Sequence, residues 1–125
     1  MNTWLRKPRK PIGEAKRQQK RVEEGYYPTW EGFLRLHRLD WWHCRVAQAS
    51  QPGWVDYVVF GDGWMAFVEL KARRADGRAG TLSVAQERYK ASIEAAGGEW
   101  RTFLVPDEEK EIKAWLTSKT GRVVL

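Results

Sequence analysis

Two apolar runs, WVDYVVFG and WMAFVELK, are joined by Asp62-Gly63, and each carries a carboxylate where a buried strand ordinarily has none. Asp-Gly between alternating apolar runs is a strong hairpin signal, since a two-residue type I′ loop needs positive φ at both central positions. The pattern predicts strands over Trp54–Gly61 and Trp64–Lys71, with Gly61 facing Trp64. Counting back along both strands places Asp56 opposite Glu69. Lys71, two residues beyond Glu69, points to the same face. Val55, Tyr57 and Val59 would fill one face, while Trp54, Val58, Phe60, Met65 and Phe67 share the other with the charges. Apolar residues on both faces predict a covered sheet, in which unpaired charge is costly.

The remaining elements follow from the same kind of pattern. Ala15–Glu24 is polar and compatible with a helix, and Gly25–Pro28 should break it. Thr29 then caps a second helix reaching about Leu39, with Phe33, Leu34 and Leu36 as its apolar stripe. Asp40–Ala47 reads as an optional first strand. Ser83 caps a helix from Val84 to about Ala96, ended by Gly97-Gly98. Trp100–Val105 is a short strand, and Asp107–Ser118 a final helix. The order is αββαβα, with the optional strand ahead of the hairpin: a mixed α/β (α+β) chain whose central mixed β-sheet is flanked by helices.

At 125 residues the chain has room for one core. Eight tryptophans supply much of it. Trp41, Trp42, Trp54, Trp64, Trp100 and Trp115 read as packing residues, and Trp4 and Trp30, in or near the basic segment, as candidates for stacking on bases. Charge is unevenly spread. Residues 1 to 21 hold eight bases (Arg6, Lys7, Arg9, Lys10, Lys16, Arg17, Lys20, Arg21) against the single acid Glu14, and the rest of the chain holds fourteen bases against fifteen acids. Residues 1–24 therefore read as a basic, partly helical or flexible arm able to bind nucleic-acid phosphates without reading sequence, and 25–125 as a single domain. A solvated tail that aids solubility fits the same composition.

No apolar core follows the early basic residues, which argues against a secretory signal or a membrane span. The lone Cys44 excludes an internal disulfide and fits a reducing cytoplasm, or a host's cytoplasm for a viral protein. With only His37 and His43 beside it, a four-ligand zinc site is not indicated. His37 reads as an ordinary surface or core histidine.

Opposed carboxylates are mutually destabilising, so Asp56 and Glu69 need compensation. Lys71 alone is one solution. A divalent cation is another, because Mg²⁺ prefers hard oxygen ligands and keeps waters and substrate phosphates in its remaining positions. A surface hairpin with a solvated Asp/Glu/Lys cluster also satisfies the spacing.

Gly53-Trp54-Val55-Asp56, then Phe67-Val68-Glu69-Leu70-Lys71, then Leu82-Ser83-Val84-Ala85-Gln86 opening a helix, resembles the PD-(D/E)XK nuclease signature. The wider pattern, over about residues 50 to 105, is similar to the VRR-NUC branch of that superfamily, in its small stand-alone viral and bacterial form. Val55 replaces the motif proline, and the loop from Arg73 to Thr81 is longer than the family pattern. The resemblance implies a restriction-endonuclease-like core and a magnesium- or manganese-dependent endonuclease, a hydrolase of DNA serving repair or recombination in a phage or bacterium. Asp56 and Glu69 would hold Mg²⁺ or Mn²⁺, with the Leu70 carbonyl as a further ligand and Glu31 from the first helix joining the metal shell. Gln86 would lie near the active site. Lys71 would either activate the water or stabilise the charged transition state. Arg73, Arg74 and Arg78 would contact the DNA backbone beside the cut, although a solvated loop explains them too. With no added recognition region, selection of branched, nicked or supercoiled DNA is expected rather than of a base sequence. Cutting both strands with one site calls for a homodimer or two visits. A non-catalytic nucleic-acid-binding module on a nuclease scaffold is the alternative.

Overall fold

A computed structural model of the chain describes residues 12–44 and 53–123. Three helices and four strands follow one another: α1 (Ile12–Leu36), β1 (Asp40–His43), β2 (Tyr57–Gly61), β3 (Trp64–Lys71), α2 (Val84–Ala95), β4 (Glu99–Leu104) and α3 (Glu109–Thr120). The sheet is mixed, with spatial order β1-β2-β3-β4. Its first three strands are antiparallel neighbours, and β4 lies parallel to β3 after the α2 crossover.

Helix α1 corrects the expected break. It runs unbroken through Gly25 and Pro28. An interior proline removes a hydrogen bond and crowds the preceding turn, at a cost of about 3 kcal/mol. What offsets it is a stripe at i, i+4, i+8: Tyr26, Trp30 and Leu34 are all buried in the main core. The helix ends earlier than the pattern suggests because Arg38 turns left-handed at φ 56°. The Leu39 N–H then reaches back to the Leu34 carbonyl at 3.0 Å, the six-to-one bond that closes a Schellman motif.

The hairpin register is the expected one, Gly61 facing Trp64 and Tyr57 facing Val68. Two details differ. Among the described residues the only non-glycine with positive φ is Arg38, so Asp62 is not left-handed and Gly63 alone, at φ 79°, turns the loop. A type I′ turn needs both. The ladder also stops at Tyr57, so Trp54, Val55 and Asp56 precede the strand rather than belong to it.

The sheet is covered on both faces, by different amounts. Against one face α1 and α3 bury Trp30, Leu34, Ile112, Trp115 and Leu116 over Tyr57, Val59, Ala66, Val68, Leu70 and Phe103. The other face carries α2 and a smaller cluster of Val55, Val58 and Trp100 with Trp54, Phe67 and Tyr89. Val55 therefore packs opposite to the face that alternation gave it, because it lies outside the strand. A single helix leaves part of this second face bare, and Trp42, Phe60 and Met65 are exposed there. Trp42 is thus not a packing residue. Trp30, fully buried, is core rather than a platform for bases, and Trp4 lies outside the described residues.

Candidate active site

The sheet ends where the two acids meet. Continuing the register one step past Tyr57 and Val68 sets Asp56 opposite Glu69, but the backbones no longer pair there. Side chains take over. The Asp56 N–H donates to Glu69 Oε1 at 3.1 Å, and the Leu70 N–H donates to Asp56 Oδ2 at 2.8 Å. Buried backbone donors need acceptors, and here each carboxylate accepts from the strand that carries the other or from its neighbour. The acids are thereby locked side by side.

Further contacts fix the remaining oxygens. The Tyr27 hydroxyl, from α1, donates to Asp56 Oδ1 at 3.1 Å. On the opposite layer Gln86 Nε2 donates to Glu69 Oε2 at 2.8 Å, and Lys71 Nζ lies 3.2 Å from the same oxygen. Gln86 is held in turn by the start of α2, where its Oε1 accepts from the Ser83 N–H while the Ser83 hydroxyl accepts from the Gln86 N–H. This is a capping box. A residue that sequence alone would leave on a helix surface is therefore buried, and it ties the helix cap to Glu69.

A third carboxylate joins from α1, and it is Glu23 rather than Glu31. Glu23 Oε2 accepts from the Ala72 N–H at 2.9 Å and from Gln19 Nε2 at 3.3 Å, and Gln19 Nε2 also donates to the Ala72 carbonyl. Glu31 instead accepts from the Tyr57 hydroxyl and faces His43 and Arg35. Neither Glu23 nor Tyr27 was picked out from the sequence. The available signal was spacing: Gln19, Glu23, Tyr27 and Glu31 recur every four residues, one stripe of a continuous helix. A break at Gly25–Pro28 conceals that stripe.

Electrostatics place these acids under strain. Burial pushes the Glu69 carboxyl up to about 8, helped by the neighbouring Asp56 charge and opposed by Lys71 and Gln86. Burial also raises Asp56 against the pull of the Leu70 N–H and the Tyr27 hydroxyl, and it raises Glu23 against the Ala72 N–H. Three carboxylates share one ammonium. That imbalance, expressed through oxygen donors alone, fits a hard divalent cation. Among the described residues no group of three or more His, Cys, Asp or Glu side chains forms a cage for a metal. The oxygens of Asp56 and Glu69 could hold an ion such as Mg²⁺, which takes one or two carboxylates and fills its other positions with water and phosphate.

Gly53 sets the distance between the approach to Asp56 and α2. Its φ is 86°, and a Cβ built there would lie 2.5 Å from Ala85 Cβ and 2.7 Å from the Ala85 backbone carbon. Gly53→Ala is expected to cost about 1–3 kcal/mol through strain and displacement. The denaturation midpoint reads that cost, and an unchanged midpoint would show that the segment yields freely.

The basic residues divide into groups. Lys16, Arg17, Lys20 and Arg21 are exposed on the first turns of α1, whereas Arg6, Lys7, Arg9 and Lys10 lie outside the described residues. Arg73 is tied to Asp107 and to the Gly77 carbonyl. Arg74 and Arg78 flank Asp76 at 3.7 and 3.9 Å. No described helix is long and apolar enough to cross a membrane. No family model, curated protein or solved structure matches the chain.

Proposed function

We propose that the chain is a metal-dependent DNA endonuclease with a restriction-endonuclease-like core of the VRR-NUC kind, selective for DNA structure rather than base sequence. The observation that carries this reading is the clustering of Asp56, Glu69 and Lys71 at the end of the hairpin, with both carboxylates inside hydrogen-bond networks and short of positive charge. Asp56 and Glu69, with the Leu70 carbonyl as a further ligand, would hold Mg²⁺ or Mn²⁺, which would supply Lewis-acid polarisation of the phosphate and an acidified water.

The chain's own groups do the rest. Gln86 and the Asp56 N–H orient Glu69, and Tyr27 with the Leu70 N–H orients Asp56. Lys71, partly buried beside Glu69, is a fixed positive charge for the phosphate in its transition state. Glu23 holds the backbone just after Lys71 through Ala72 and so sets where the lysine strand turns away.

Incubating the protein with plasmid and with a four-way junction, in Mg²⁺, Mn²⁺ or EDTA, tests the reading. Cleavage is expected with either metal and not with EDTA. Lys71→Ala should lower the rate on the order of 10²–10³-fold, the scale of losing one positioned electrostatic group. Retained binding with no cleavage in any metal would identify a non-catalytic binding module instead.

A further inference from the structure

A cleft opens between the first turns of α1 and the loop that follows β3. It has a volume of about 370 Å³, with Lys16 and Gln19 on the helix wall and Arg74, Asp76 and Thr81 on the loop wall. A second hollow of about 220 Å³ continues it past Arg74, where Gln18, Val22 and Arg73 join the lining. Gln19, on the wall of both, is bonded to Glu23 and to the Ala72 carbonyl, one residue beyond Lys71, and so connects the cleft to the acidic cluster.

The charges in the cleft are unequal. Two cations, Lys16 and Arg74, face the single anion Asp76, while Arg73 alongside is paired with Asp107 at 2.8 Å. Asp76 lies on the loop between Arg74 and Arg78. Its Oδ2 lies 3.7 Å from Arg74 and 3.9 Å from Arg78, too long for tight pairing, while its Oδ1 accepts from the Arg78 N–H and closes the turn. Exposed ion pairs of this length contribute little. An incoming phosphate can replace the Asp76 carboxylate at Arg74 at small cost.

We infer that this cleft is a flanking-phosphate subsite, in which Lys16 and Arg74 hold a backbone phosphate of the nucleic-acid strand leaving the acidic cluster and Asp76 is a resident competitor for the same cations. The inference rests on the nuclease reading only for the direction of the strand. The cleft's size, the Lys16 and Arg74 cations and the Thr81 hydroxyl suit a sugar-phosphate unit rather than an apolar ligand.

Binding in EDTA separates the two ideas, because no cleavage is required. Fluorescence anisotropy with a labelled oligonucleotide, repeated across a salt series, should show Lys16→Ala and Arg74→Ala each weakening binding several-fold and flattening the slope of log affinity against log salt by about 1. Asp76→Asn, which keeps the turn-closing oxygen, should tighten binding about threefold to tenfold at low salt and steepen the slope. Lys113→Ala, which removes the same charge from α3, is the control and should leave the slope unchanged. Equal slopes for wild type, Lys16→Ala and Arg74→Ala, an inert Asp76→Asn, or a Lys113→Ala effect as large as the others would overturn the subsite. Intact slope effects with no cleavage in Mg²⁺ or Mn²⁺ would retain the subsite while removing the nuclease reading.

Discussion

Glu69→Gln should abolish metal-dependent cleavage, by on the order of 10³-fold or more, and at the same time make the metal-free protein more stable at alkaline pH. The two effects share one cause. Glu69 is almost wholly buried, and its carboxyl is raised to about 8 by burial and by Asp56. A folded-state value above the unfolded one means that the folded protein binds more protons between those two values. Stability contributed by the neutral carboxyl is then complete below the unfolded value of 4.5 and is lost as pH rises through about 8. Thermal melts in EDTA should show wild type falling across that window, whereas Glu69→Gln, neutral throughout, should fall less; its oxygen can still accept from the Asp56 N–H if the Gln86 amide turns its own oxygen toward the new NH2. At pH 9 the variant should lead by roughly 1–3 kcal/mol. Saturating Mg²⁺ should close the gap by stabilising wild type alone, since a ligand at a hundred times its Kd contributes about 2.7 kcal/mol. A variant that melts below wild type at pH 9 in EDTA would show that the Lys71 ion pair outweighs the burial of charge.

Trp30→Ala should unfold the protein or nearly so, while Trp30→Phe should fold and bind nucleic acid as wild type does. Trp30 has no exposed surface and lies between Tyr57 and Phe103, with ring centroids 5.9 and 6.3 Å away. Truncating such a residue to alanine costs about 3–5 kcal/mol, a large part of the 5–15 kcal/mol that holds a domain of this size together. Its indole N–H has no hydrogen-bond partner, so phenylalanine loses volume but no polar contact. Denaturant titration and anisotropy measured together decide the matter. Loss of nucleic-acid affinity in a stably folded Trp30→Phe would restore the stacking role that the nearby basic residues suggest.

The same residue shows where sequence reading stops. Beside the arginines and lysines of the chain's start, Trp30 looks like a surface aromatic; in the fold it shares a buried helix stripe with Tyr26 and Leu34. Trp42 is the converse, a large apolar side chain in a strand, yet exposed because α2 alone covers its face of the sheet. Exposure depends on which helix lies over a strand, and strand alternation does not carry that information.

What the sequence determined by itself is local. Alternation with period two and the Asp62-Gly63 loop set the hairpin register, and with it the meeting of Asp56, Glu69 and Lys71; Ser83 three residues before Gln86 set the start of α2. These features are decided by backbone geometry within a few residues. Only the tertiary structure decided that α1 passes through Pro28, because burial of Tyr26, Trp30 and Leu34 against distant strands outweighs a local penalty. That one long-range outcome brings Glu23 and Tyr27 to the acids, turns Glu31 toward Tyr57, and lays the basic turns of the helix along the cleft beside Arg74.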